Sequence, residues 1–98
     1  MSLLGELREL TRTATYDPKN DENAVQTFEK IGDLCRLAAL LRDRDTKITW
    51  DSVGLGLIGA DNWSEDRIRR TRRGVVTLLE RENLSVQEVN GMYLFIAW

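Results

Sequence analysis

A chain of 98 residues, 42% hydrophobic and 31% charged, is sized for one small domain with a modest core. With no histidine and a single cysteine, it has no means for His-based acid–base catalysis, a Ser-His-Asp triad, a zinc site or an internal disulfide. The formal net charge of -2 is nearly balanced, so any preference for a charged partner must come from how the charges are placed.

Residues 2–12 set Leu3, Leu7 and Leu10 at helical spacing, with Glu6, Arg8, Glu9 and Arg12 on the wet side. Glu6 and Arg8 also interrupt the apolar run that a signal peptide needs. No stretch of 18 apolar residues occurs, and the lone Cys35 suits a reducing compartment, so the expectation is a cytoplasmic chain without a membrane partner. Thr13 to Asn20 holds the only proline, Pro18, and reads as a loop.

Asn20 or Asp21 then caps a long helix through about Arg42. Val25, Phe28, Ile31, Leu34, Cys35, Ala38 and Leu41 trace its buried stripe, and Leu37 and Leu40 widen it, so more than one side should be covered. Lys47 to Trp50 is short and β-prone. The next stretch, VGLGLIG, fits the G-x-G-x-x-G pattern of a phosphate loop, but no long strand precedes it and no helix opens at its third glycine. A structural helix from Thr49 or Asp51 to about Ile58, stopped by Gly59, is the better reading.

Asn62 followed by Glu65 has the spacing of a capping box, and a further helix runs from about Ser64 to Glu82. Its apolar face carries Ile68, Val75 and Leu79. Arg70, Arg73 and Thr77 point the other way, with Arg69 beside them. Five arginines and two acids fall within residues 64–74, and exposed ion pairs such as Asp66 with Arg70 account for only part of them. Arg72 lies on the core side and should snorkel or pair with Asp33 or Asp51. Finally, Ser85–Val89, Asn90-Gly91 and Met92–Trp98 form a hairpin signal, since Asn-Gly suits a type I′ turn. In a two-residue register, Val86, Tyr93 and Phe95 share one face, and Val89, Met92, Leu94 and Ile96 the other. One of these faces should be covered by a second copy of the chain or by the Leu3-Leu7-Leu10 stripe of the N-terminal helix.

The order helix, short strand, helix, turn, arginine-rich helix and hairpin, with "GADNWSEDRIRRTRR" as its turn and helix, resembles the winged-helix branch of helix-turn-helix DNA-binding domains. The resemblance covers residues 21–98. Residues 1–20 are then an added N-terminal helix and loop, and the fold class is mainly α with a C-terminal β-hairpin. It implies a sequence-specific regulator that binds double-stranded DNA by occupancy, is not an enzyme and needs no cofactor. Ser64, Arg67, Arg69, Arg70, Arg73, Thr77 and Asn90 would be its DNA contacts, and Arg42, Arg44 and Lys47 a secondary basic surface. Leu3, Leu7, Leu10, Met92, Leu94, Ile96 and Trp98 would form a homodimer or partner surface. The hairpin departs from the family in carrying Glu88 and no cation. A non-catalytic module that binds a protein partner, such as a small phage-type inhibitor or adaptor, is the alternative.

Overall fold

The computed structural model describes residues 2–13, 15–56 and 63–98. Helix α1 spans Leu3–Thr13, α2 Glu22–Leu40 and α3 Glu65–Arg81, while strands β1, β2 and β3 span Asp45–Thr49, Ser85–Val89 and Tyr93–Ala97. The described fold is therefore mixed α/β rather than mainly α, and the short strand expected at 47–50 forms as β1. Strand β1 joins the hairpin in an antiparallel sheet of order β1-β3-β2, which makes β3 the central strand. The pairing of β1 with the hairpin matters physically, because a two-stranded hairpin alone is only marginally stable in water.

The proposed 51–58 helix does not form in its described part. A single 3-10 turn occupies Asp51–Val53, after which Gly54 takes φ 80° and breaks the helical path. Gly56 then lies against Asp51, where a Cβ would run into the carboxylate. Residues 57–62, and with them the Gly59 stop and Asn62 cap, lie outside the described residues. Ser64 caps α3 instead, its Oγ accepting from the Arg67 N–H at 3.2 Å.

The hairpin register is shifted by one residue from expectation. Asn90 and Gly91 do take positive φ (54° and 65°), and the Met92 N–H donates to the Val89 carbonyl, as in a type I′ turn. Pairing, however, begins at Val89 with Tyr93, so Met92 is an extra residue in the return strand. Val86 consequently opposes Ile96, not Phe95, and joins Ile48 and Leu94 on the inner face. A one-residue shift exchanges the partners of every side chain on β2.

The core forms between that inner face and two helices. Ala24, Ile31 and Cys35 enter from α2, and Ile68, Val75, Leu78 and Leu79 from α3; Trp50, Val53 and Leu55 close one end. Each large side chain so buried contributes about 1.5–3 kcal/mol. Burial also pushes up the pKa of the Cys35 thiol, as an apolar neighbourhood disfavours the thiolate. Helix α2 is covered along one stripe only: Leu34, Leu37, Leu40 and Leu41 are exposed, contrary to their assignment to the core. Helix α1 buries none of its residues.

Candidate nucleic-acid interface

Two contacts hold α3 against the start of α2. Gly74 lets the incoming chain cross α3, since a Cβ there would collide with the Tyr16 hydroxyl and Pro18. Tyr16 then donates to the Asp21 carboxylate at 2.7 Å, and the Thr71 hydroxyl reaches the same oxygen at 3.3 Å. The other Asp21 oxygen caps α2 by accepting from the Asn23 and Ala24 N–H groups. Burial alone would raise the pKa of Asp21, but these four hydrogen bonds outweigh it and hold the carboxyl below its ordinary value. Burial first, then the Asp21 contact, raises the Tyr16 phenol.

This cluster gives stability a defined pH dependence. The folded pKa of Asp21 is depressed, so its contribution is fully present above the unfolded value of about 4 and is lost as pH falls through the folded value. Asp21→Asn retains an amide oxygen to cap the helix but loses the charge and the acceptor for Tyr16 and Thr71. Urea unfolding of both proteins should show a gap of about 1 kcal/mol at pH 7, closing as pH drops below about 4. A gap unchanged from pH 7 to about 2.5 would mean the carboxylate is not what anchors α3.

With its far side buried, α3 presents Arg69, Arg70 and Arg73 within about a 100° arc of exposed surface; Asp66 sits among them and Thr77 is half-buried in the same arc. Arg69 pairs with Glu65, one turn earlier, through Nε at 3.0 Å and through Nη2. Thr77 donates to the Arg73 carbonyl at 2.9 Å. Arg67 lies on the flank, stacked over Trp63 at 4.0 Å, and Arg70 leans toward Tyr16 at 5.8 Å. A recess on that flank brings Arg67 and Arg70 beside Asp17, Asp21 and Glu22, so this end is acidic as well as basic.

The hairpin tip meets the other flank. Arg69, Arg72 and Arg73 face Asn90 and Gly91 across a recess of about 510 Å³, with Glu88 in its wall. Five of the seven expected DNA-contact residues, Arg67, Arg69, Arg70, Arg73 and Asn90, thus lie exposed on or beside one surface. Ser64 spends its Oγ on the helix cap and Thr77 its hydroxyl on the helix backbone.

Arg72 differs from both expectations for it. It is 7% exposed and neither snorkels nor forms an ion pair within 4 Å among the described residues. Its Nε donates to the Leu55 carbonyl at 2.8 Å and its Nη1 to the Gly91 carbonyl at 3.0 Å, while the guanidinium lies 5.1 Å over the Trp50 ring. Burial lowers its pKa, opposed by the more distant charges of Glu88 and Asp51. One side chain thereby joins α3, the segment after β1 and the hairpin tip.

The secondary basic residues do not extend the arginine surface. Helix α3 packs on α2, the Pro18–Asn20 turn and β2, whereas Arg42, Arg44 and Lys47 belong to the turn before β1 and to β1 itself, the opposite edge of the sheet. Arg42 takes φ 69° where α2 ends, and Lys47 stacks over Tyr93 at 4.1 Å. The partner surface is also redrawn: Leu94 and Ile96 are fully buried core residues, and Tyr93 and Phe95 occupy the outward face. Leu3, Leu7, Leu10, Met92 and Trp98 are exposed, as a partner surface requires. Comparison with family models, curated proteins and solved structures finds no match to the chain.

Proposed function

We propose that the chain is a small winged-helix protein that binds double-stranded DNA through α3 and regulates by occupancy. The observation that carries this reading is the exposure of Arg69, Arg70 and Arg73 in one arc of a helix whose opposite side is core. Arginine suits both phosphates and guanine edges. The element order supports this reading, with the Asp51–Val53 turn occupying part of the stretch where the resemblance places the middle helix. Asn90 sits beside the arginines, so the hairpin tip can approach the same backbone through its amide, without a cation. The exposed leucines of α1 and α2 support a homodimer, which would set two such helices on one duplex.

Those same leucines favour a second reading, in which the chain is an adaptor for a protein partner. Leu3, Leu7, Leu10, Leu37 and Leu41 are each at least half exposed, apolar surface that a protein partner could cover. Salt separates the two. Fluorescence anisotropy with random-sequence duplex DNA at about 50 mM and 200 mM salt should show binding that weakens by orders of magnitude at the higher concentration. If no complex forms at the lower salt, general DNA affinity is ruled out and the adaptor reading stands.

A further inference from the structure

A third recess, of about 470 Å³, lies at the end of the sheet beneath the hairpin tip. It shares Arg72, Asn90 and Gly91 with the recess on the arginine face but contains none of the outward arginines. Trp50, Tyr93 and Met92 supply apolar wall, and Lys47, Thr49 and Arg72 supply polar groups. The volume is in the range that holds a small ligand.

Two of these groups are more than nine-tenths buried, Trp50 with one N–H donor and Arg72 with several. Trp50 is 1% exposed, and its Nε1–H has no acceptor among the described residues. Arg72 carries five N–H bonds, of which those to the Leu55 and Gly91 carbonyls are accounted for among the described residues. Lys47, at the rim, adds a cation that rests on the Tyr93 ring. Facing these donors, Asp51 is the one carboxylate among the lining residues, and Glu88 acts on Arg72 from β2. Lys47 and Arg72 against Asp51 leave the wall positive. A site with surplus donors, net positive charge and aromatic walls is complementary to an acceptor-rich anion on a flat apolar body.

We propose that this recess binds a small organic oxyanion, a carboxylate or a phosphate monoester carried on an aromatic ring. Arg72 is the buried anchor, Lys47 the rim charge, and Trp50 and Tyr93 the walls. The site stands independently of DNA binding, because none of the arginines of the outward arc belongs to it. Since α3 supplies Arg72 and the hairpin tip supplies Asn90 and Gly91, an occupant touches both elements and would tighten one against the other.

The test uses the whole chain and two probes, benzoate and phenyl phosphate, titrated at constant ionic strength, with benzyl alcohol as the uncharged control. Proton–nitrogen spectra report the Trp50 indole N–H, identified with Trp63→Phe and Trp98→Phe, and the Arg72 Nε–H. Both signals should move saturably with at least one anion, and the tighter probe names the headgroup. Lys47→Gln, at an exposed position, should keep the fold and weaken binding about fivefold. Signals that stay still with both anions overturn the proposal. So does benzyl alcohol matching the anions, or Lys47→Gln binding as tightly as the parent. All of these readings are made without DNA, so failure here and failure of the duplex titration are separate results.

Discussion

Arg72→Ala should destabilise the fold by about 2–4 kcal/mol, lowering Tm by on the order of 10–20 °C in a domain of this size. The guanidinium is the donor for the Leu55 and Gly91 carbonyls, and its removal leaves both without that partner and opens a gap beside Trp50. Part of the loss is offset, because the alanine variant no longer buries a charge that finds no ion pair within 4 Å among the described residues. Arg72→Lys separates the two contributions. It keeps the positive charge but lacks the planar fork that spans two carbonyls, so it should recover less than half of the lost stability. Arg73→Ala, one position along and exposed, should change stability by less than about 0.5 kcal/mol. If thermal unfolding finds Arg72→Ala as stable as Arg73→Ala, the link between α3, the post-β1 segment and the hairpin tip is not what holds them together.

The parts of this architecture that can be read from sequence are those governed by local chemistry. Helix α3 follows from the period of Ile68, Val75 and Leu79, and the turn from Asn90-Gly91, whose positive φ values few other residues adopt. What escapes is set by nonlocal choices. Met92 could equally have paired with Val89; its extrusion follows from β3 having to place Leu94 and Ile96 inward against the helices while pairing with both β1 and β2. Leu37 and Leu40 have the same apolar character as Ile31, and only the positions of α3 and the sheet decide which side of α2 is covered. The 51–58 run is apolar enough for a helix, yet Gly54 at φ 80° turns it, a conformation a glycine permits without announcing. Arg72 is placed on the core side by helical period, but its acceptors are backbone carbonyls, which carry no sequence signature. Trp50 and the Tyr16–Asp21–Thr71 cluster gain their roles only when distant segments meet.

Replacing Arg69, Arg70 and Arg73 together with Gln should abolish most duplex affinity while leaving the fold intact. Glutamine keeps helix propensity and bulk, and the lost Glu65–Arg69 pair is exposed on both sides, worth about 0.3–0.5 kcal/mol. For DNA the expected effect is much larger. Each phosphate contact removed should flatten the slope of log affinity against log salt by about 0.9, so three give a change of about 2.7, with affinity at 50 mM salt reduced at least about a hundredfold. An exposed arginine elsewhere gives the control: Arg36→Gln removes one positive charge from α2, where the guanidinium pairs with Asp33, and should leave the slope unchanged. A general loss of positive charge would act alike at all these sites, whereas a groove-docked helix is sensitive only along one arc of α3. Small effects in proportion to the three charges and the one removed would mean that charge acts only at long range and that α3 does not dock. A triple variant that loses the slope while the control keeps it assigns the phosphate contacts to the arc formed by Arg69, Arg70 and Arg73. Asp66→Asn then becomes informative, because removing the acid that sits among these arginines should strengthen binding if phosphates lie above it and weaken it if the carboxylate accepts from a cytosine.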